Sequence, residues 1–341
     1  MRAAVLVKNG NAQSAFEIQE RPDPLPGDFE VLVQVHVSGL NFADVMARLG
    51  LYPEAPPIPS ILGYEVAGTI AKLGNQVKGL KVGDRVLAMT RFGGYATRAV
   101  APALATVVLP DSISFEAATA LGTQAITAYY LCEEMIPLLP DQHVLIHAAA
   151  GGVGSILVQL AKHRDCIVYG TSSSPAKLEF LKKLGVDHPI NYTEKDFAAE
   201  FLRLSGGRKA DAIFDSIGGS HFKKGFRILG AGGRIGIFGV SEMAGGKKSL
   251  LRSLRTLFSF GLYHPLGLLM HSKGIVGVNM LKVGNAHPET IGRCLKAVVA
   301  LTDQGVIQPQ IGGIFPAEKI GEAHEKLANR STTGKLGLSW S

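Results

Sequence analysis

The chain has 341 residues, 46% of them hydrophobic and 18% charged, and this length favours two globular domains over a single core. Its three cysteines, Cys132, Cys166 and Cys294, are scattered without a CxxC pair, which argues against a disulfide scaffold and predicts a reducing, cytoplasmic location. The net charge of +7 is not gathered into blocks, no nucleic-acid recognition module is visible, and no apolar run reaches the roughly 18 residues that span a bilayer.

The first third of the chain has the pattern of a β-rich domain. Alternating apolar residues predict a strand over Glu30–Val37, and Tyr64–Leu73 is predicted to be another. The segment Lys81–Ala88 is predicted to be a Gly-Asp turn that leads into a further strand. Short strands separated by glycine and proline are typical of a small antiparallel barrel or sandwich.

From Ser114 onwards, strands and helices alternate. Ser114 is a candidate N-cap for a helix that runs to Leu121. The predicted strands that follow are Gln142–Ala148, Cys166–Gly170, Ala210–Ser216 and Gly233–Gly239, and the predicted helices are Ser155–His163 and Ala176–Leu184. This alternation predicts parallel βαβ units with right-handed crossovers.

After Val306 the chain returns to short strands and one helix, Glu318–Ala328. We therefore predict an α/β protein in which a Rossmann-type, doubly wound parallel sheet is inserted into a β-rich domain. The predicted boundaries are residues 1–121 and 309–341 for the β-rich domain and 122–308 for the nucleotide domain.

The turn Ala149–Gly154 fits the dinucleotide-binding fingerprint, with alanine in its first glycine position. Gly151 would let the backbone approach a pyrophosphate, and Gly154 would let the helix pack closely on the strand. A tight strand-to-helix turn without a ligand has the same glycines, but the predicted strand before and helix after supply the context that dinucleotide binding requires.

The second strand of this predicted unit indicates which dinucleotide binds. An NAD site usually has an acidic residue about 20 residues beyond the turn. Here the strand ends in Thr171–Ser174, and Lys177 follows, with no acid nearby. Hydroxyls and a lysine suit a 2′-phosphate, so we predict NADPH; Ser174 can also cap the next helix.

Two segments, Ser38–Asp44 and Gly63–Gly68, resemble the medium-chain dehydrogenase/reductase superfamily. Its zinc alcohol dehydrogenases have a cysteine near the first segment and Gly-His-Glu in the second. This chain has Asn41 and Tyr64 in those places, and Thr123 lies near the third ligand position. None of the three is a thiolate or an imidazole, so we expect no catalytic zinc.

The resemblance extends to the zinc-free quinone oxidoreductases and covers nearly the whole chain. The segments that carry it are Gly39–Tyr52, Val82–Val86, Ala148–Gly154 and Phe214–Gly219. Within that family the chain is most similar to the vesicle amine transport protein-like branch, on His147–Gly154, Gly185–Tyr192 and the basic and apolar stretch Lys247–Met270. The family implies a GroES-like β-rich catalytic domain, a Rossmann NADPH-binding domain and a homodimer with Gly274–Met280 near its interface.

The resemblance also implies which residues contact the cofactor. Lys177 and Tyr192 would contact the 2′-phosphate beside Ser172 or Ser173, and Asn41 and Thr127 would lie near the nicotinamide. The complete set of predicted cofactor contacts is Asn41, Thr127, Ala150, Gly151, Gly152, Val153, Gly154, Ser172, Ser173, Lys177, Tyr192, Ser216, Ile217, Phe238, Gly239 and Arg330.

Without a Lewis acid, removing hydride from an alcohol is difficult, whereas a quinone or an α,β-unsaturated carbonyl needs only a placed hydride and a proton. We therefore predict a metal-independent NADPH reductase for such substrates. Asn41 would donate to a developing oxyanion, and Tyr52 or Tyr64 would relay a proton or only pack in the pocket.

The stretch from Lys247 to Met270, basic and then apolar, has alternative interpretations. It could be an amphipathic membrane-surface segment, or a helix and loop that cover the substrate cleft or meet a second subunit. Its apolar run is broken, which favours the second interpretation and leaves membrane contact at most peripheral. A non-catalytic NADPH-binding sensor or lipid-associated protein is the alternative function.

Overall fold

The computed structural model describes residues 1–240, 259–329 and 332–340, and these form two compact units. The first unit contains residues 1–126 and 280–341, and the second contains residues 127–279. Both chain ends therefore belong to one unit, as expected for an inserted domain.

The elements are numbered in chain order. The strands are β1 (Arg2–Leu6), β2 (Phe16–Glu20), β3 (Glu30–Leu40), β4 (Ser60–Ile61), β5 (Glu65–Leu73), β6 (Arg85–Met89), β7 (Arg98–Pro102), β8 (Thr106–Val108), β9 (His143–Ile146), β10 (Ile167–Ser172), β11 (His188–Asn191), β12 (Ala210–Asp215), β13 (Leu229–Ile237), β14 (Gly274–Gly277), β15 (Ile311–Pro316) and β16 (Lys335–Ser339). The α-helices are α1 (Ala12–Ala15), α2 (Phe42–Arg48), α3 (Phe115–Ala120), α4 (Ile126–Tyr129), α5 (Gly152–His163), α6 (Pro175–Lys183), α7 (Phe197–Leu204), α8 (Gly219–Ile228), α9 (Pro265–His271), α10 (Met280–Ala286), α11 (Pro288–Asp303) and α12 (Ile320–Ala328).

The first unit is built on two sheets. The smaller has the strand order β2-β1-β4, and the larger has the order β15-β16-β3-β5-β6-β8, with β7 also paired to β3. Strand β16, near the end of the sequence, lies antiparallel to β3 with Leu336 opposite Leu40 and Leu338 opposite Ser38. This pairing brings Lys335 next to the end of β3, where the first superfamily-like segment lies.

The second unit has one six-stranded sheet with the order β11-β10-β9-β12-β13-β14, and all its pairs are parallel. The apolar residues of β9, Val144, Leu145 and Ile146, are completely buried, as a central strand requires. In such a sheet the carboxyl ends of all strands lie at one edge, which is where open α/β sheets bind ligands. The structure thus confirms the Rossmann-type sheet in one unit and the β-rich domain in the other.

Several local predictions are confirmed by the structure. The Ser114 hydroxyl accepts the amide of Ala117 at 3.2 Å and caps α3. Ser174 caps α6 in the same way, accepting the amide of Lys177 at 3.4 Å. The predicted strands have counterparts with ends that differ by a few residues, which is the usual uncertainty at the end of an element.

The division between the units differs from the predicted boundaries at residues 121/122 and 308/309. Helix α11 buries Ile291, Leu295 and Val298 and packs on the segment that contains β8. A side chain at Gly292 would collide with the Leu104 carbonyl oxygen. Because α11 packs in this way, the second structural boundary falls at 279/280.

No helix in the described ranges is both long and apolar enough to cross a bilayer. In the stretch from Lys247 to Met270, residues 247–258 fall outside the described residues. Its described half contains α9 except for the last residue, and Leu266, Leu269 and Met270 of this helix are exposed.

Candidate functional site

The Gly-rich turn connects β9 to α5 at the carboxyl edge of the parallel sheet. Ala148 enters the turn with a φ of 49°, and Gly151 precedes α5 as its N-cap. No side-chain hydrogen bond caps this helix. A Cβ on Gly154 would collide with the Ala148 carbonyl oxygen and lie 2.8 Å from the Ala149 Cα, so the close helix–strand approach requires glycine. The turn fits a pyrophosphate, whose charge its first amides and the positive end of the helix would receive.

The residues predicted for the 2′-phosphate lie at the ends of the two neighbouring strands. Ser172 ends β10, and its carbonyl oxygen accepts the Tyr192 amide at 3.2 Å just beyond β11. Ser173 follows Ser172, and Lys177 lies in the first turn of α6. The structure therefore brings Ser172 and Tyr192 together and places Ser173 and Lys177 on the connection that follows β10.

The predicted residues on the other side of the turn are also adjacent. Ser216 follows β12, and the Phe238 amide donates to the Asp215 carbonyl oxygen at 3.1 Å. A Cβ on Gly239 would lie 3.1 Å from the Ser216 carbonyl oxygen. The Ile217 amide donates to the Asp215 carboxylate at 2.7 Å, which fixes the turn after β12. These residues form a surface at the same edge of the sheet, where the other half of a dinucleotide held by the Gly-rich turn could bind.

Sequence reasoning missed the polar groups buried beneath this edge. His147 is 1% exposed, its Nδ1 lies 3.1 Å from the Thr171 hydroxyl, and burial lowers its pKa to about 4. Thr171 also accepts the Ala148 amide at 3.3 Å. His147 and Thr171 thus connect the ends of β9 and β10. The available signal was a histidine directly after the buried apolar run Val144–Ile146 and before the Gly-rich turn.

A second cluster of predicted residues lies in the first unit. Asn41 is 4% exposed at the N-terminus of α2. Its backbone amide donates to Asp44 at 2.9 Å, and the same carboxyl accepts the Gly63 amide at 3.2 Å. Asp44 therefore connects the two superfamily-like segments, and its burial raises the pKa of its carboxyl to about 7.

The side chain of Asn41 belongs to a buried ion-pair network. Its Nδ2 donates to the two oxygens of Glu65 at 2.8 and 3.0 Å, and its Oδ1 accepts Lys335 Nζ at 2.9 Å. Lys335 also donates to Glu65, and both side chains are 0% exposed. The Thr123 amide donates to Glu65 at 3.2 Å, and its hydroxyl donates there as well. Sequence reasoning placed Asn41 and Thr123 near one another but did not single out Lys335.

Glycines make room for this network. A Cβ on Gly39 would collide with a Glu65 oxygen and lie 2.7 Å from Lys335 Cε. A Cβ on Gly122 would lie 2.8 Å from Glu65 Cβ. The signal for Lys335 was a lysine that directly precedes the apolar residues Leu336–Leu338 in one strand.

The two candidate tyrosines lie together in the same unit. Tyr64 is 6% exposed, and its ring packs against Tyr52 edge to face at 6.4 Å and against Phe92 at 5.1 Å. Within the described residues, its hydroxyl has no hydrogen-bond partner. Burial raises the pKa of both tyrosines, so both hydroxyls keep their protons at neutral pH.

Three remaining predictions are placed as follows. Thr127 is buried in α4 and belongs to the second unit. Arg330 lies outside the described residues. In the described part of the chain, no group of three or more His, Cys, Asp or Glu residues is arranged to hold a metal ion.

Comparison with known proteins identifies the family. The alcohol dehydrogenase GroES-like domain matches residues 27–111, and the zinc-binding dehydrogenase model matches residues 152–293. The human protein named synaptic vesicle membrane protein VAT-1 homolog is 34% identical over an alignment of 342 residues, covering 99% of this chain and 86% of that protein.

Solved structures give the same result. The Escherichia coli quinone oxidoreductase complexed with NADPH is 30% identical with a TM-score of 0.87, and the match covers 99% of this chain and 100% of that one. The CurK enoyl reductase is 26% identical with a TM-score of 0.85, covering 99% of both chains. The chain therefore belongs to the zinc-free quinone oxidoreductase family of the medium-chain dehydrogenase/reductase superfamily, close to the VAT-1 branch, and is an oxidoreductase by family.

Proposed function

We propose that this protein is an NADPH-dependent reductase that transfers hydride to a quinone or an α,β-unsaturated carbonyl compound without a metal ion. The observation that carries the proposal is the chemistry around Glu65. Where the zinc alcohol dehydrogenases have cysteine and histidine, this chain has Asn41 and Tyr64, and the carboxylate is paired with the Lys335 ammonium. This donor set suits a charge-balanced polar pocket and lacks the thiolates and imidazoles that zinc prefers.

NADPH is proposed because of the chain's own residues. The uncapped start of α5 suits the pyrophosphate, and hydroxyls and a lysine follow β10 where an NAD site would have an acid. Two solved relatives, the E. coli quinone oxidoreductase and a mycobacterial protein, are complexed with NADPH. All the cofactor contacts predicted from the sequence remain part of this proposal, including Arg330.

When bound, NADPH supplies the hydride. In the overall reaction, NADPH, a proton and the enone give NADP⁺ and the saturated ketone: the hydride electron pair forms the new C–H bond at the β-carbon, the alkene π bond is lost, and a proton is added at the α-carbon. For a quinone, the same hydride and one proton give the hydroquinone. The protein's task is to hold the acceptor, exclude water and provide hydrogen bonds.

Asn41 Nδ2 carries two hydrogens and lies 2.8 and 3.0 Å from the Glu65 oxygens and 3.5 Å from the Thr123 hydroxyl. One hydrogen can serve both carboxylate oxygens, which leaves a second one for such a bond. We propose that this second hydrogen is donated to the substrate oxygen as charge develops there. Tyr52 and Tyr64 keep their protons and are the proposed proton sources or pocket walls.

The burial of Asn41 also favours a second candidate function. Because its amide is largely committed to Glu65 and Lys335, a non-catalytic NADPH-binding sensor or lipid-associated protein fits the same network. Turnover of an activated alkene separates the two candidates.

We further propose a cytoplasmic homodimer. Strand β14 is an edge strand of the described parallel sheet and lies within the stretch Gly274–Met280 that the family resemblance places near the interface. Mass measurement in solution tests the dimer. Cell fractionation tests the location, because the VAT-1 relatives are named after a vesicle membrane.

The proposed activity is tested by following NADPH oxidation with ortho-quinones, enones and aldehydes, with NADH in parallel. We expect turnover of at least one quinone or enone and a strong preference for NADPH. NADPH binding without turnover of any such acceptor contradicts the reductase and supports the sensor.

A further inference from the structure

We propose that Lys335 is a positioning residue of the reductase site: together with Glu65 it fixes the orientation of the Asn41 amide, the proposed donor to the substrate oxygen. This inference rests on the proposed function for its catalytic consequence. The geometric part, the fixed amide, stands on contacts within the first unit alone.

The chemistry of Lys335, Glu65 and Asn41 allows only one orientation of the Asn41 amide. An ammonium can only donate, so it requires the amide oxygen of Asn41. An ionised carboxylate can only accept, so it requires the amide nitrogen. Lys335 Nζ contacts Oδ1 at 2.9 Å and Glu65 contacts Nδ2 at 2.8 and 3.0 Å, which matches both requirements.

The network is enclosed, so the orientation has no competitor from water. Lys335 and Glu65 are 0% exposed, and Asn41 is 4% exposed. The glycines at positions 39 and 122 bring the backbone against the ion pair at distances that any side chain would obstruct. In a buried site of this kind, hydrogen bonds to charged groups are stronger than those to neutral groups.

The positive charge of Lys335 has two effects. It neutralises Glu65, and it draws electron density from the Asn41 amide, which makes the remaining Nδ2 hydrogen a better donor. Glu65 alone would still require the amide nitrogen. When both charges are removed, the amide can turn over and present its oxygen to the substrate, where a developing negative charge would be repelled. The residue thus acts through Asn41 and does not itself touch the reacting atoms.

The test compares four proteins: wild type, Lys335→Met, the double variant Lys335→Met with Glu65→Gln, and Lys319→Met. The single variant leaves Glu65 buried without its cation and is expected to be unstable. The double variant removes both charges together and keeps the volume, so it is expected to fold. Lys319 pairs with Glu322 at 4.0 Å on the surface of the same unit and is the matched control.

We expect the folded double variant to lose about 100-fold in kcat, at the lower end of the loss of about 100- to 1000-fold that follows removal of one oxyanion donor. Its Kd for NADPH and its KM for the acceptor should change less than about threefold, because a positioning defect acts on the transition state. A kcat equal to that of wild type in the folded double variant overturns the proposal. An increase in KM with an unchanged kcat also overturns the proposal, because it indicates a role in binding.

A second readout is independent of turnover. In protein labelled with ¹⁵N-asparagine, the two Asn41 side-chain hydrogens are expected to have widely separated shifts and slow exchange in wild type, and the Asn41→Ala variant assigns them. In the double variant the shift difference should shrink. An unchanged Asn41 amide contradicts the positioning role even if no acceptor is found, whereas an absence of wild-type turnover contradicts only the proposed function.

Discussion

His324 is a buried histidine that should make folding sensitive to acid. It is 0% exposed, its ring lies 4.6 Å from the Phe16 ring and 6.0 Å from the Tyr95 ring, and neither ring nitrogen has a hydrogen-bond partner in the described ranges. Burial, with the Arg48 guanidinium as a second cause, lowers the pKa of His324 from 6.5 to about 3. The folded state therefore keeps this ring neutral where the unfolded chain takes up a proton.

The direction and size of the pH effect on the free energy of unfolding follow from proton linkage. A depressed histidine pKa stabilises the fold fully above about pH 6.5, and this contribution is lost as the pH falls towards 3. At about 1.4 kcal/mol per pH unit, the loss from His324 at pH 5 is about 2 kcal/mol. Asp44 has the opposite effect, because its raised pKa of about 7 makes its contribution more favourable as the pH falls. His147, whose pKa burial lowers to about 4, adds a loss of the same sign as His324. The wild-type pH profile alone therefore mixes the contributions of several groups.

The His324→Phe variant isolates the histidine term. Phenylalanine loses no hydrogen bond in this pocket, and any packing change is independent of pH. We expect the free energy of unfolding of the variant relative to wild type to rise by about 2 kcal/mol between pH 7.5 and pH 5. Urea unfolding followed by Trp340 fluorescence measures it, because this is the chain's single tryptophan and it is 8% exposed in the same unit.

The control is His163→Gln, a change at an exposed position at the end of α5. It should leave the pH dependence unchanged. If the stability difference between His324→Phe and wild type is the same at both pH values, then the ring is not held neutral by burial and the reasoning is wrong.

Three further predictions concern the two sites. Gly154→Ala should weaken NADPH binding at least about 10-fold in a fluorescence titration, because the new Cβ displaces the start of α5, whereas Gly267→Ala has free space and should bind normally. Lys177→Ala should weaken NADPH binding about 10-fold and leave NADH binding unchanged, because only the contact between the lysine and the 2′-phosphate of NADPH is lost. Gly39→Ala should lower the free energy of unfolding by about 3 kcal/mol in urea, because it forces the Glu65 ion pair apart.

For each of these three predictions, one result would contradict the reasoning. Normal NADPH affinity in the Gly154→Ala variant would mean that the turn does not hold the pyrophosphate. Equal losses for NADPH and NADH in the Lys177→Ala variant would mean that the lysine contacts a part common to both. Wild-type stability in the Gly39→Ala variant would show that the network adapts without strain.

The parts of the structure that follow local rules could be predicted from the sequence. The helix caps at Ser114 and Ser174 need only a hydroxyl and the following amides, and the Gly-rich turn needs only a strand before it and a helix after it. These features depend on neighbours in sequence, so the residue order is sufficient to find them.

The rest depends on contacts between distant residues. Lys335 meets Asn41 across 294 positions because β16 pairs with β3, and no local pattern indicates that pairing. Helix α11 has the apolar face that any packed helix has, so its sequence does not say which unit it joins. The structural division at 279/280 and the Lys335 network both follow from tertiary pairing.

Transfer of a labelled hydride tests the proposed reductase most directly. The protein is incubated with a cyclic enone and NADPH deuterated at C4 of the nicotinamide, in each of the two C4 configurations, and the product is examined by mass spectrometry and NMR. We expect one configuration to place a single deuterium on the β-carbon of the saturated ketone. Product without deuterium from either configuration, or no product from enones and quinones while NADPH binds, would contradict hydride transfer by this protein.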